Sequence, residues 1–268
     1  MKISVITAVR NNCTTISNAL ESVLTQDHPD TEVIVIDGAS TDGTLEIIQR
    51  YLRHIDQMVS EPDRGIYDAL NKGIRLATGE AIGFLHADDR YANHRVLSRI
   101  AASFADPRID ACYGDILYVR RDDPSRVVRH WRAGPFHPGL LARGWMPPHV
   151  AFYARRSVYL RLGGFDLGYK IAGDYDCLLR FLGAGRITCA YIPEVLIHMR
   201  MGGVSNRSLR NILEKSREDY RALRQNRVGG IGALLRKNMQ KVPQFYLAAL
   251  LWQGHSVRSS RTDDRPVG

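Results

Sequence analysis

The sequence predicts an α/β protein: a mostly parallel, Rossmann-like sheet with helices on both faces, antiparallel additions and a helical C-terminal tail. Three observations predict it. Short β-rich apolar runs alternate with stretches of helical spacing over roughly the first hundred residues, strands without clear intervening helices follow between about 109 and 154, and a basic, helix-patterned segment runs from 205 to 268.

In chain order, ISVITAV is a first strand, and TTISNALESVLTQ places Ile16, Leu20, Val23 and Leu24 on one helical face. EVIVID is a strand, TLEIIQRYL a helix, QMVSE a weak strand, IYDALNKGIRLA a helix and AIGFLH a strand. Apolar strands joined by single helices imply parallel neighbours with right-handed crossovers. IDACYG, DILYV, RVVRHW and HVAFYA then read as separate strands, consistent with antiparallel pairing. MGGVSN, near 201–206, is the best domain boundary. It divides a domain over 1–204 (about 1–105 for one half and 106–204 for the other) from a tail over 205–268.

With 268 residues, 44% hydrophobic and 24% charged, the chain reads as soluble and globular. MKISVITAV is short and lacks a small-residue cleavage pattern, so it is expected to be a strand, and FYLAALLW is too short to span a bilayer. Cys13, Cys112, Cys177 and Cys189 are scattered, which fits free thiols in a reducing cytoplasm. The net charge of +9 sits mostly in the tail, where 13 Lys and Arg face 5 Asp and Glu. Such a tail suits an anionic membrane surface, on the cytoplasmic face of the inner membrane, or a helical extension packed on the domain. Nucleic acid is not expected as a partner, since no recognition motif is present and residues 1–204 are nearly neutral.

Each early strand ends in polar residues: Arg10-Asn11-Asn12, Asp37-Gly38-Ala39-Ser40, Glu61-Pro62-Asp63-Arg64-Gly65 and His86-Ala87-Asp88-Asp89. In a parallel sheet these ends share one edge, where ligands of open α/β sheets bind. Gly38, Ala39 and Ser40 are small enough for a ligand to approach the backbone, and Asp42-Gly43 opens the next helix. No GxGxxG or GxxxxGK[ST] loop cradles phosphate. The adjacent carboxylates Asp88 and Asp89 offer a different route, because Mg²⁺ or Mn²⁺ is commonly held by one or two carboxylates together with substrate phosphate oxygens.

SVITAVRNN, VIVIDGASTDGT, SEPDRGIYDALNKGI and FLHADD, followed by GGFD and AGDYDCLLR, resemble in order the donor-binding and acceptor-side segments of family 2 glycosyltransferases with the GT-A fold. The resemblance covers roughly residues 2–205 and leaves the tail outside. It implies a nucleotide-sugar-binding first half and an acceptor-side second half. By the same resemblance Asp88 and Asp89 hold the metal and sugar diphosphate, although His86 stands where many members carry an acid. Asp37 would contact the base, Thr7 and Val9 would line its pocket, and Asp63, Arg64, Asp68, Asn71 and Lys72 would lie near the diphosphate and donor sugar. Asp174 would be the catalytic base.

Several of these residues have purely structural readings. Asp88 and Asp89 could lie in a solvated turn before a helix capped by Asn93, Asp37 could cap a turn, Arg64 could pair with Asp63, and Lys72 reads as a solvated helix residue. His149 is either a core histidine or faces the acceptor, and Trp145 is either core or a platform for a pyranose. His198 ends a strand, where a metal or phosphate contact is conceivable. Asp174 suits an N-cap or first-turn position, with Asp176 two residues on and pointing elsewhere.

The expected activity is metal-dependent, inverting transfer of a sugar from a nucleoside diphosphate, UDP foremost, to a hydroxyl of a saccharide or lipid-linked saccharide in surface or extracellular polysaccharide assembly. Asp88 and Asp89 with their ion, assisted by Arg64, would neutralise the leaving diphosphate, and a carboxylate would take the acceptor proton. A sugar-phosphate nucleotidyltransferase would need a glycine- and arginine-rich N-terminal loop that is absent. A non-enzymatic sugar-nucleotide sensor would have no use for Asp174 beside the metal pair.

Overall fold

The computed structural model describes residues 1–201 and 209–239. The expected alternation is present as β1 (Ile3–Val9), α1 (Ile16–Leu24), β2 (Thr31–Asp37), α2 (Thr44–Gln49), β3 (Gln57–Ser60), α3 (Ile66–Leu76) and β4 (Ala81–Phe84). These strands are parallel and lie in the order β3-β2-β1-β4. After β5 (Arg90–Tyr91) and α4 (Val96–Ser103) come β6 (Ala111–Val119), β7 (Val127–Trp131), β8 (Phe152–Arg155), α5 (Arg156–Leu162), α6 (Gly173–Leu179) and β9 (Cys189–Arg200). The sheet continues from β4 through β8, β6 and β9 to β5, with β7 beside β6.

The antiparallel additions are β8 on β4 and β6, β7 on β6, and β5 on β9. Three details differ from the sequence reading. IDACYG and DILYV form one strand, because a Cβ on Gly114 would lie 2.6 Å from the Leu196 side chain, so glycine here serves close packing and not a turn. HVAFYA begins as a 3₁₀ turn, His149–Ala151, and becomes a strand only at Phe152. β9 escapes a periodicity reading because Pro193 interrupts it. Gly114 pairs with Ile192 and Asp115 with Val195, so Pro193 and Glu194 bulge out of register and the missing proline donor is tolerated.

Two apolar layers sandwich the sheet. Ile6, Ile34, Ile36, Ile82 and Phe84 meet Leu70 of α3, Val158 of α5 and Leu178 and Leu179 of α6. Val5, Val33 and Val35 meet Ile16, Leu20 and Val23 of α1, with Leu97 and Ile100 of α4 on the same side. Fully burying a side chain of this size contributes about 1.5–3 kcal/mol. At the amino edge Glu32 is buried and accepts from Ser4 Oγ and from the Thr78 hydroxyl and amide, with Lys2 at 3.0 Å. Burial opposes its ionisation, but these partners outweigh burial and hold its carboxyl down at about 2.

Two further helices, α7 (Leu209–Gln225) and α8 (Ile231–Met239), pack on the domain, α7 against α6 and α8 against the turn Pro138–Arg143. Among the described residues no helix is long and apolar enough to cross a membrane. FYLAALLW and most of MGGVSN lie outside the described residues.

Candidate functional site

β8 runs antiparallel to both β4 and β6, so β6 points the same way as β4, and β9, parallel to β6, does too. The carboxyl ends of β1, β2, β3, β4, β6 and β9 therefore share one edge, and Arg200 ends there beside the four loops singled out by sequence.

On the nucleotide side the first two loops are stitched to each other. Ser40 Oγ accepts from the Asn11 amide at 2.8 Å, Asn11 Oδ1 from the Thr41 amide at 2.9 Å and Thr44 Oγ1 from the Asn12 amide at 2.8 Å, with Asn11 and Ala39 in the left-handed region. Asp37 is fully buried and is already engaged: it accepts from Ser60 Oγ at 2.6 Å and from the Ser40 hydroxyl and amide. These bonds shape the loop between β2 and α2. Thr7 and Val9 are buried under this edge, and Thr7 Oγ1 has no partner among the described residues.

The third loop also differs from expectation. Lys72 is not solvated: its Nζ lies 2.6 Å from Asp63, 2.8 Å from Glu61 and 3.1 Å from the Pro62 carbonyl, which ties down the turn before α3. Arg64 pairs with Asp68 at 3.1 Å, not with Asp63, and its side chain is 76% exposed. A Cβ on Gly38 would lie 2.8 Å from Asp63 Oδ2, so the close approach that glycine permits is made by Asp63. Asn71 turns away to the Phe165 backbone, donating to its carbonyl and accepting from its amide, both at 2.8 Å.

Asp88 and Asp89 follow β4, and the solvated-turn reading does not hold for Asp89, which is 1% exposed. Arg200 donates its amide to Asp89 Oδ1 at 3.2 Å and Nη1 to the Asp88 carbonyl at 3.5 Å. Asp89 Oδ2 is buried without a partner among the described residues. Burial first, and then the charge of Asp88, push its carboxyl well above the usual carboxylate range. Asn93 Oδ1 accepts from the Arg95 amide, one residue before α4.

Opposite this pair stands the start of α6. Its N-cap is Ala172, and Asp174 lies half-buried in the first turn without capping it. Tyr67 Oη donates to the Ile171 carbonyl at 2.7 Å, accepts from the Gly173 amide at 2.9 Å and lies 3.5 Å from Asp174 Oδ1. Gly173 admits this ring, since a Cβ there would lie 2.7 Å from it. Asp176 points elsewhere, accepting from Asn226 Nδ2 at 2.8 Å.

His86 and His149 lie between the acids. Their Nε2 atoms are 3.1 Å apart, and the ring of His149 packs edge-on to Phe165 and tilted on Phe84. Burial lowers both imidazoles, His86 to about 4 with further lowering from His149, while Asp88 and Asp174 pull it the other way and Asp174 alone pulls His149. Both rings are therefore neutral near pH 7, and one donates to the other. A small cavity lined by Phe84, His149, Phe165 and Asp174 lies under this pair.

Trp145 is half-buried, stacks on Phe136 at 5.5 Å and donates Nε1 to the Ala133 carbonyl at 3.0 Å. His198 Nδ1 lies 3.3 Å from Arg90 Nη2. The sequence reading missed Tyr67 and Arg200; a tyrosine one residue inside α3 and an arginine ending a strand were their only local signals.

Residues 4–162 match the family model described as glycosyl transferase family 2. A PGL/p-HBAD biosynthesis glycosyltransferase of Mycobacterium bovis is 29% identical over 208 residues, covering 76% of this chain and 78% of that protein. S. aureus TarS 1-349, solved in complex with UDP-GlcNAc, matches with a TM-score of 0.64 at 19% identity, over 85% of this chain and 66% of that one. A mannosyltransferase from Pyrobaculum calidifontis, in complex with GDP-Man and Mn²⁺, matches with a TM-score of 0.64 at 22% identity, over 97% of this chain and 76% of that one. Both structural likenesses concern the GT-A fold.

Proposed function

This chain belongs to glycosyl transferase family 2, and on that premise we propose that it moves a sugar, with inversion, from a nucleoside diphosphate to a hydroxyl of a saccharide or lipid-linked saccharide. The carrying observation is that Asp88 and Asp89 follow β4 at the carboxyl edge of the sheet, just after His86, whose Nε2 lies 3.1 Å from that of His149, and that His149 and Asp174 line one cavity. Two acids at a strand end and a third opposite supply the two demands of the reaction, charge neutralisation at the leaving group and proton acceptance from the nucleophile.

Asp88 and Asp89 fit a Mg²⁺ or Mn²⁺ ion. The buried, partnerless Oδ2 of Asp89 is a ready oxygen ligand, and among the described residues no three His, Cys, Asp or Glu form an all-protein cage. The remaining ligands would then be substrate and water oxygens, the usual arrangement for these ions. Bound there, the ion would supply Lewis-acid neutralisation of the diphosphate.

The chain's own residues do the rest. Arg200 fixes the backbone of Asp88 and the carboxylate of Asp89. Exposed Arg64, held by Asp68 at 3.1 Å, offers its remaining guanidinium N–H groups to diphosphate oxygens. Asp174 takes the acceptor proton at its carboxylate while Tyr67 holds the backbone before it. The neutral His86–His149 pair keeps the wall between the acids uncharged.

UDP is the first nucleotide to test and GDP the second, since the two fold relatives were solved with UDP-GlcNAc and GDP-Man. A screen of nucleotide sugars for release of nucleoside diphosphate, with and without Mn²⁺, is expected to single out one nucleotide class, with release raised by the ion. Failure of every nucleotide sugar to bind or turn over would remove the proposal.

We place the reaction in surface or extracellular polysaccharide assembly, at the cytoplasmic face of an anionic membrane. Supporting the membrane contact, α8 exposes Ile231, Leu235 and Met239 at four-residue spacing, 57–68% accessible, beside exposed Arg236. Sedimentation with phosphatidylglycerol vesicles is expected to fall steeply as salt is added, and to weaken in Leu235→Glu. Equal sedimentation with neutral vesicles would count against an electrostatic attachment.

A further inference from the structure

We infer that Glu218, on α7, is a positioning residue for Asp174, an inference that rests on Asp174 being the base. Glu218 Oε1 accepts from the Lys170 amide, and Oε2 from the Ile171 and Ala172 amides, all at 2.8 Å. These consecutive donors lead directly into α6: Ala172 is its N-cap, and Lys170 and Ile171 precede it. The Ala172 amide is one that a helix start leaves without an intrahelical partner, and the two before it lie outside the helix. Here the cap is a carboxylate from a helix more than forty residues later in the chain.

The grip is two-sided. Tyr67, from α3, takes the next amide, Gly173, and donates back to the Ile171 carbonyl. The backbone from 170 to 173 is thus held at every amide, by Glu218 on one side and Tyr67 on the other, and Asp174 is the following residue. α7 is itself seated by the face that carries Glu218. Arg221 donates to the Gly168 carbonyl at 3.2 Å and lies over the Tyr169 ring at 4.6 Å, Ala222 is fully buried, Gln225 bonds the Tyr169 hydroxyl, and Asn226 reaches Asp176. Residues at i, i+3, i+4, i+7 and i+8 share one helical face, so α7 presents a continuous surface to the loop before the base.

Only a carboxylate suits this site. Its two oxygens accept three N–H groups and its charge is favoured at a helix start. A glutamine keeps one oxygen but turns an NH₂ toward the remaining donors. Glu218 lies beyond the boundary suggested by sequence at 204 and bonds a segment on the other side of it.

The test compares Glu218→Gln with Asp219→Asn in the full chain. Asp219 is the next residue, 1% exposed and paired with Lys215 at 3.0 Å and with Lys237 of α8 at 2.8 Å, so its loss weakens α7 and its hold on α8 while it makes no bond to the loop amides. The readouts are hydrogen exchange at amides 170–173 and steady-state release of nucleoside diphosphate from UDP-GlcNAc and GDP-mannose. Glu218→Gln is expected to speed exchange at these amides and to lower kcat about ten- to a hundredfold, the scale of a small misplacement of a reacting group. The donor KM should stay within about twofold, since the donor site is untouched. Asp219→Asn should lower the melting temperature and leave kcat unchanged. Unchanged exchange or unchanged kcat in Glu218→Gln, or an equal fall of kcat in both variants, would overturn the inference. Wild-type turnover in Asp174→Asn would instead overturn the base assignment, and is read in a separate variant.

Discussion

Asp174→Asn is expected to lower sugar transfer by about 10²- to 10⁴-fold, the usual loss with a general base. Melting temperature and donor affinity should stay near wild type. Asparagine keeps the shape and hydrogen-bonding reach of the side chain and loses only its ability to accept a proton. The structure removes the main competing account, in which Asp174 matters as a helix cap: Ala172 is the N-cap and Asp174 makes no capping bond. Asp176→Asn gives the contrast. It disturbs a buried contact with Asn226 and should cost about 1–3 kcal/mol of stability with a milder effect on transfer. Kinetics of the purified variants with the donor found in the screen decide between them. Transfer by Asp174→Asn at close to the wild-type rate would send the search for the base to Asp176 first.

The strand and helix alternation of the first half was legible because β1, β2 and β4 are buried on both faces and read as continuous apolar runs, while α1 and α3 show helical spacing. Asp88 and Asp89 stood out as adjacent carboxylates at the end of an apolar strand, and Asp174 through the resemblance of AGDYDCLLR to the family's acceptor-side segment. The solvated reading of Lys72 failed for one cause: its partners on the Asp63 turn are tertiary contacts with no local pattern, as are those of Asn71 on the Phe165 backbone and of Asp37 on Ser60. The omissions share another. Arg200 meets Asp89 across 111 residues and Glu218 meets Ala172 across 46, and neither pairing leaves a local pattern. β9 was hidden by Pro193, which a central strand tolerates only through the bulge opposite Gly114 and Asp115.

Chelation of divalent cations is expected to weaken binding of the donor by at least about tenfold, equivalent to about 1.4 kcal/mol, and Asp89→Asn is expected to reproduce that loss without chelator. The choice of asparagine follows from the structure. Asp89 Oδ1 accepts from the buried Arg200 amide, so alanine would leave that donor unpaired at about 1–3 kcal/mol and confuse folding with binding. Asparagine retains an acceptor for Arg200 and removes the charge a cation would need. Without a cation, two carboxylates this close, one of them buried, are unfavourable, and Asp89 is pushed upward first by its burial and then by Asp88. Removing the charge should therefore leave the melting temperature of the metal-free protein unchanged or raised. The same substitution should abolish any rise in melting temperature that Mn²⁺ gives the wild type, as expected of a ligand that binds only the folded state. Calorimetry with UDP-GlcNAc and GDP-mannose, with Mn²⁺ or EDTA, measures both arms. Donor binding that is equally tight in EDTA, and in Asp89→Asn, would show that the pair serves the fold and that Arg64 carries the diphosphate alone.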